Sequence, residues 1–141
     1  MKFISFLSVL FLSLTSTAQQ PSVVSGKIER HAQFLSRYIS SRNVDVWLPD
    51  DYSTSKKYNV LFMHDGQMLF DAATTWNKQA WDVDDVVTDL LKNNKISDLI
   101  VVGIWNGGES RHADYFPQKP FLGLSDSARE MIYAAGRANG A

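Results

Sequence analysis

Two stretches of the chain are apolar without alternation, and they predict strands inside a parallel sheet. They run from Tyr58 to Met63 and from Leu99 to Ile104. A strand that is covered on both faces loses the apolar–polar alternation of a half-exposed strand. Asn43 to Leu48 does alternate, with apolar residues on one face and Asp45 and Trp47 on the other, so we expect an outer strand there.

Between the two buried strands, apolar residues recur at the spacing of an amphipathic helix. Aspartates stand at its start, beside the positive end of the helix dipole, and a lysine stands near the negative end. Strand, helix and strand in this order form a right-handed βαβ unit. The apolar positions are Val83, Val86, Val87, Leu90 and Leu91, and the charged ones are Asp82 as N-cap, Asp84, Asp85 and Lys92.

The two ends of the readable chain add weaker signals. Gly26 to Ile39 has a mixed pattern that suits an irregular outer strand or hairpin arm. Ser127 to Glu130 has the spacing of a capping box, and the helix that it starts should end at Gly136. The sequence therefore predicts an α/β fold in which antiparallel outer strands lead into a parallel βαβ unit.

Composition narrows the class of partner. The chain has 141 residues, of which 45% are hydrophobic, and its net charge is -1. This length and hydrophobic content are enough for one packed domain. The chain has no basic run that would indicate binding to nucleic acid or to an anionic membrane surface. Small molecules are the expected partners. Since the chain has no cysteine, disulfides and thiolate metal sites are excluded.

Residues 1–18 have the pattern of a secretory signal. Lys2 precedes an apolar stretch from Phe3 to Leu14, and small residues, Ser16 and Ala18, stand where signal peptidase needs them. The apolar stretch is short for a membrane span, so a retained anchor is the weaker alternative. We therefore expect cleavage after Ala18 and export of residues 19–141 to the periplasm or the medium.

The exits of the two buried strands should face each other, because parallel strands share one carboxyl edge. They are His64 to Gln67 and Trp105 to Gly108. Ligands of open α/β sheets bind just beyond that edge, and Gly66 would let the backbone approach one closely. On its own, the first exit can also be a tight turn in which His64 and Asp65 bond to the local backbone.

Several motifs, in order and spacing, resemble the putative esterase family of α/β hydrolases, which includes esterase D and siderophore esterases. The resemblance covers Val44 to Pro120 and implies that this chain is the N-terminal part of an α/β-hydrolase fold. The motifs are R-N-V-D-V-W-L-P-D-D-Y, K-Y-N-V-L-F-M-H-D-G-Q-M-L-F-D, L-I-V-V-G-I-W-N, and Arg111 followed by Asp114-Tyr115-Phe116-Pro117.

This resemblance implies serine-dependent hydrolysis of a small-molecule ester, without a cofactor. The turn after the Tyr58 to Met63 strand would supply part of the oxyanion hole, and Gly66 and Gln67 are the candidates. Backbone N–H groups fixed at a strand exit can stabilise a tetrahedral oxyanion with little reorganisation. The candidates for substrate contact are His64, Asp65, Trp76 and Trp105, while Arg111 and Tyr115 are expected to pin the loop after Trp105.

The nucleophile of such hydrolases lies in a G-x-S-x-G elbow, followed in chain order by the acid and the histidine. No such pentapeptide occurs in the 141 residues. The nearest window, Gly123 to Ser127, ends in serine and follows no predicted strand. Because His31, His64 and His112 all precede the expected elbow, we place the nucleophile, the acid and the histidine downstream of this chain.

Metal sites find little support. Asp82, Asp84 and Asp85 could be drawn as a cation site, but their position on the helix dipole explains them without a metal. His64 and Asp65 have no second ligand cluster in the sequence. Trp47 and Trp81, like most tryptophans, are expected to serve packing. No metal or cofactor is therefore predicted.

Two functions compete. The first is an exported carboxylic-ester hydrolase, present here as an N-terminal fragment that is inactive alone. The second is a complete, non-catalytic module that binds a small molecule or carbohydrate. The second would leave an apolar strand edge unpaired, at Tyr58 to Met63 or at Leu99 to Ile104, which folded proteins usually avoid.

Overall fold

Four strands form one mixed sheet. They are β1 (Lys27–Phe34), β2 (Arg42–Leu48), β3 (Asn59–His64) and β4 (Leu99–Ile104), and their spatial order is β1-β2-β4-β3. The computed structural model describes residues 19–138, so the predicted signal segment 1–18 lies outside the described residues. β1 pairs with β2 and β2 with β4 in antiparallel fashion, whereas β3 and β4 are parallel.

Helix α1 (Val83–Lys92) connects β3 to β4, which confirms the predicted βαβ unit. Short 3₁₀ turns follow β3 at Gly66–Met68 and Ala72–Thr74, and a third follows β4 at Gly108–Ser110. Among residues 19–138, no helix combines the length and the apolar character needed to cross a bilayer. The remaining helices are α2 (Arg111–Asp114), α3 (Gln118–Leu122) and α4 (Asp126–Ala138).

The start of α1 differs from the prediction. Asp82 precedes the helix, but it has left-handed backbone geometry with φ at 50°, and its side chain makes no capping hydrogen bond. An N-cap side chain reaches the N–H groups of the first turn from an extended backbone, so the left-handed geometry of Asp82 does not suit it to capping. Asp84 and Asp85 lie in the first turn as expected.

Three aspartates, Asp84 among them, hold the N-terminal segment against the fold. Each accepts a hydrogen bond from one of three alternate backbone N–H groups. Asp84 itself is buried, and this burial raises the pKa of its carboxyl. The pairs are Ser22 with Asp71 at 2.9 Å, Val24 with Asp84 at 2.9 Å, and Gly26 with Asp50 at 2.8 Å.

Helix α4 begins one residue before the predicted capping box and continues past Gly136. Its capping hydroxyl belongs to Ser125, which accepts a hydrogen bond from the Ala128 N–H at 3.3 Å. The helix then runs through Gly136 to Ala138. A glycine inside a helix costs only about 1 kcal/mol, so it does not have to end one.

The core lies on the face of the sheet that carries Asp45 and Trp47. In sheet register, Trp47 pairs with Val101, and Val101 pairs with Leu61 of β3. Trp47 and Val101 are completely buried. Residues from α1 and from the segment after β3 pack over this face, and the buried cluster comprises Ile28, Trp47, Leu69, Phe70, Val83, Val87 and Val101.

The expectation that Tyr58 to Met63 is covered on both faces is wrong for the part of the chain that the structure describes. β3 is the edge strand of the sheet. Met63 packs against the core, but Val60 and Phe62 on the opposite face are 46% and 68% exposed. Leu61, on the core face, is also 39% exposed. The described residues therefore cover β3 incompletely on both faces.

Candidate functional site

The exits of β3 and β4 contact each other through two hydrogen bonds of Asn106. Its backbone N–H donates to Gln67 Oε1 at 3.2 Å, and its side-chain Nδ2 donates to Asp65 Oδ1 at 2.6 Å. The two loops therefore face each other at the carboxyl edge of the parallel pair, as the sequence predicts. Open α/β sheets bind ligands at this edge.

Asp65 forms most of the hydrogen bonds between the two loops at this edge. Its backbone is left-handed, with φ at 54°, and the residue is only 6% exposed. Arg111 donates to both of its carboxylate oxygens, at 2.8 and 2.6 Å, and the Tyr115 hydroxyl lies 3.4 Å from Oδ1. The hydrogen bonds from Arg111, supported by that from Asn106, lower the pKa of Asp65 to about 2 although burial opposes the change.

Asp65 thus bonds across to the second loop. In a simple tight turn it would bond to the local backbone instead. Arg111 and Tyr115 hold the loop after Trp105, as expected from the sequence. Both oxygens of Asp65 are already hydrogen-bonded, so this carboxylate holds the two loops together.

Gly66 lies directly on the backbone of Gly103 in β4. A Cβ atom on Gly66 would be 2.5 Å from the Gly103 carbonyl carbon and 2.9 Å from Trp105 Cδ1. A Cβ on Gly103 would in turn be 3.2 Å from Gly66 Cα. Glycine is needed at position 66 because two backbones meet there, and the unusual φ of the turn belongs to Asp65 instead.

The turn after β3 contains two backbone N–H groups without a hydrogen-bond partner among the described residues, that of Gly66, which is buried, and that of Gln67. They open the 3₁₀ turn Gly66–Met68, where the first N–H groups have no partner within the turn. Within residues 19–138, no other protein group accepts a hydrogen bond from either of them. Two adjacent donors are therefore fixed at the carboxyl edge by the packing of Gly66 and the bonds of Asp65.

The other residues named from the sequence have different positions. His64 is exposed at the end of β3, with its ring centroid 5.1 Å from that of Tyr115. Trp76 lies on the segment after Ala72–Thr74 and is 85% exposed. Trp105 is partly buried, and its indole N–H points inward to Asp45 Oδ2 at 2.8 Å. The structure brings Asp65, Gly66, Gln67 and Trp105 together, with His64 beside them.

The sequence did not indicate that Asp45 and Arg30 hold Trp105 in place. Asp45 is buried in β2 and accepts hydrogen bonds from both Arg30 and Trp105. An aspartate that alternates with valines in an outer strand normally indicates the solvent face, so the pattern hid this residue. Asn106 was equally inconspicuous, because nothing in the sequence shows which partner an amide will find.

The window from Gly123 to Ser127 spans the connection between α3 and α4 and the first two residues of α4, and it does not follow a strand. Ser125 caps α4 there, so its hydroxyl has a structural partner. His31 lies on β1 and His112 on α2, both with exposed side chains. In the described range, no group of three or more His, Asp or Glu side chains has an arrangement that could hold a metal ion.

Comparison with known proteins then identifies the family. Residues 36–131, more than half of the chain, match the model of the Putative esterase family. The chain belongs to this family. As a member of the putative esterase family, it has the mixed α/β fold that the sequence predicts, with a sheet of four strands in residues 19–138.

Solved structures that resemble this putative esterase are much longer than it is. The ferulic acid esterase AmCE1/Fae1A from Anaeromyces mucronatus is 23% identical, with a TM-score of 0.41, over 60% of this chain and 30% of that one. A structure of FAE is 22% identical, with a TM-score of 0.39, over 72% of this chain and 34% of that one. This chain thus spans about a third of their length. None of the curated proteins matches it.

Proposed function

We propose that this protein is an exported carboxylic-ester hydrolase of the serine acyl-enzyme type, and that the present chain is its N-terminal part. One observation carries the proposal. In a member of the putative esterase family, Gly66 and Gln67 present two unpaired backbone N–H groups at the carboxyl edge of the parallel strands. This is the position from which an oxyanion hole works.

In the proposed reaction, a serine hydroxyl attacks the ester carbonyl carbon and the carbonyl oxygen becomes an oxyanion. The N–H groups of Gly66 and Gln67 donate to that oxygen, the alcohol leaves, and water later hydrolyses the acyl-enzyme. Donors that are fixed beforehand stabilise the developing charge without reorganisation. Asp65 and Gly103 supply this rigidity, since they hold the turn on its two sides.

The nucleophile, its acid and its histidine are proposed to follow this chain, because G-x-S-x-G is missing from the 141 residues. The chain alone should therefore be inactive. Residues 1–18 are proposed to direct export and to be removed, leaving no stable membrane anchor. The substrate is proposed to be a small-molecule ester, with the exposed His64 and Trp76 as candidates to contact it, and no cofactor is required.

The test compares two proteins with p-nitrophenyl acetate as substrate. We expect the chain of residues 19–141 to show only background hydrolysis, and the longer product of the same reading frame to be active. Replacing the serine of a downstream G-x-S-x-G by alanine should abolish that activity. Activity of the short chain that survives Ser125→Ala would refute the proposal that the nucleophile is missing.

The oxyanion hole is tested in the longer product at Gln67. Gln67→Pro removes the backbone N–H, whereas the matched control Gln67→Ala keeps it and removes only the side chain. We expect Gln67→Pro to lower kcat by about 10² to 10³, the usual effect of losing one donor, with less change in KM. Equal effects of the two variants would exclude the Gln67 N–H from the site.

The competing function is a non-catalytic binding module. It would be favoured if the reading frame ended at Ala141 and if residues 19–141 unfolded cooperatively without added strands. A longer frame that contains G-x-S-x-G and hydrolyses the ester would exclude it.

A further inference from the structure

We infer that Asp45 is a positioning residue for the turn that carries Gly66 and Gln67. Its buried carboxylate, paired with Arg30, holds the Trp105 indole against Gly66. This inference deepens the proposed function and rests on it, because it names the residues that would keep the oxyanion donors in place.

The contacts form one closed group. Arg30 Nε lies 2.7 Å from Asp45 Oδ1, and Nη2 lies 2.8 Å from Oδ2. The same Oδ2 accepts the indole N–H of Trp105 at 2.8 Å. The Arg30 guanidinium also lies over the Trp105 ring, 4.7 Å from its centroid. The indole is thus fixed both by its N–H and by its face.

The position of the group in the sheet explains how it reaches the turn. Arg30, Asp45, Gly103 and Met63 are neighbours in one row across the four strands. Gly103 has no side chain, so the row is open at β4, and the Gly66 backbone packs into that opening. Trp105, two residues after Gly103 and just beyond the end of β4, bonds to Asp45, and its Cδ1 is 2.9 Å from where a Gly66 Cβ would lie.

Stability alone does not account for this arrangement. The side chain of Asp45 is completely buried and that of Arg30 is 12% exposed. Removing such charges from water is costly, and apolar residues of similar volume often stabilise a fold equally well. What a fully bonded buried pair does provide is one fixed geometry. Here that geometry defines the wall against which Gly66 rests.

β2 offers a matched control on the same face of the strand. Trp47 is also completely buried, and its indole N–H donates to the Ser25 carbonyl at 2.8 Å. It lies two residues from Asp45, at the end of β2 away from Trp105, where Val101 is its partner in β4. Trp47→Phe therefore deletes a buried indole hydrogen bond to Ser25 and none of the hydrogen bonds of Asp45 or Trp105.

The experiment uses the longer product of the reading frame. We expect Asp45→Asn and Trp105→Phe each to lower kcat for p-nitrophenyl acetate by about 10- to 100-fold, as small displacements of catalytic groups do, with little change in KM. The double variant should be no slower than the slower single one, because Asp45 acts through Trp105. Trp47→Phe should lower the melting temperature and leave kcat unchanged.

A second readout does not depend on activity. In ¹H–¹⁵N spectra, Asp45→Asn should shift the Trp105 indole N–H and the Gly66 amide, whereas Trp47→Phe should leave both in place. If Asp45→Asn fails to fold, Arg30→Lys keeps the charge while losing the two-point contact, and it should cause the same shifts.

The proposed function and the inference about Asp45 can be refuted separately. Absence of serine-dependent hydrolysis in the wild-type protein would refute the proposed function, while the spectra would still test whether Asp45 holds Trp105 and Gly66. Multiplicative effects of Asp45→Asn and Trp105→Phe on kcat, or an unshifted Gly66 amide, would overturn the inference.

Discussion

Arg111 donates hydrogen bonds to both carboxylate oxygens of Asp65, and so ties the loop after β4 to the turn after β3. The Asp65 side chain is 9% exposed, whereas the Arg111 side chain is 53% exposed. The pair thus has one partner within the fold and one at its surface. Such a two-point contact fixes orientation as well as distance, which a single bond would not.

This pair makes the stability of the fold depend on pH. The pKa of Asp65 falls from its ordinary value of 3.8 to about 2 in the folded protein. Because the folded-state pKa is below that of the unfolded chain, the pair stabilises the fold above about pH 4, and its contribution disappears as the pH falls through about 2. We expect Arg111→Gln to lower the free energy of unfolding at pH 7, because it removes the main cause of the lowered Asp65 pKa.

The measurement is denaturant unfolding of wild type and Arg111→Gln at pH values from 7 to 2, in whichever length of the protein unfolds cooperatively. The difference between them should shrink below pH 4. Lys27→Gln is the control, since its ion pair with Glu29 is exposed on both sides and should contribute little. A difference that stays constant down to pH 2 would contradict the assigned role of Asp65.

The contact between Gly66 and Gly103 predicts which of two alanine substitutions destabilises the fold more. Gly66→Ala places its Cβ 2.5 Å from backbone, whereas the nearest obstacle to a Cβ on Gly103 is the Leu69 Cδ1 atom at 2.8 Å. A side-chain end can move more readily than backbone. We expect Gly66→Ala to lower the free energy of unfolding by about 3 kcal/mol or more, and Gly103→Ala by about 1 to 3 kcal/mol.

Leu69→Val provides the matched rescue, because it removes the atom that obstructs position 103. Combined with Gly103→Ala it should cost less than the sum of the two single changes, whereas it should give Gly66→Ala no such relief, because Leu69 is not among the atoms nearest to a Cβ at position 66. Gly123→Ala, whose Cβ would have its nearest neighbour at 3.4 Å, serves as a harmless substitution. If alanine at position 66 proved as mild as at position 123, the close approach would be disproved.

The order of elements could be predicted from the sequence because it depends on local periodicity. β4 has the bounds that the unbroken apolar run Leu99 to Ile104 indicates, and α1 follows its helical spacing. The meeting of the two strand exits also followed, since parallel strands share an edge. These features depend on neighbours along the chain or on a general rule of sheets.

What could not be predicted depends on pairs that are distant in sequence. Asp45 lies on the core face because Arg30 and Trp105 bond to it, and alternation alone assigns such a residue to solvent. Likewise, Gly66 is explained by the backbone of Gly103, 37 positions further along, and not by its own φ. Asp82 illustrates a local limit, because its residue type suits an N-cap but its left-handed backbone does not.

Export gives a further prediction. The Gln19 carbonyl accepts a hydrogen bond from Arg30 Nη1 at 3.2 Å, and Gln20 Nε2 donates to the Ile28 carbonyl. Cleavage after Ala18 would leave both contacts intact, so the mature protein should begin at Gln19. Mass spectrometry of the protein from the periplasm or the medium tests this. An intact Met1 in that pool would disprove cleavage, and a start beyond Ser22 would place the cleavage site inside the fold.

The exposed side of β3 gives the last prediction, in which one substitution should act in opposite directions in two lengths of the protein. Within residues 19–138, β3 pairs only with β4, and Phe62 is 68% exposed beside that open edge. An apolar edge strand readily pairs with other chains, whereas a lysine placed on it opposes such pairing. We therefore expect residues 19–141 to be poorly soluble or to associate, and Phe62→Lys to make them more soluble.

If the chain continues as proposed, the added strands or helices should cover this surface, so that Phe62 becomes part of the core. Phe62→Lys should then lower the free energy of unfolding by several kcal/mol, because it buries a charge without a partner. Tyr38→Lys is the control, since Tyr38 is 93% exposed in the connection between β1 and β2 and should have little effect in either length. Light scattering of the short chain and thermal unfolding of the long one measure the two effects. A longer protein that tolerates Phe62→Lys as well as Tyr38→Lys would show that nothing covers β3.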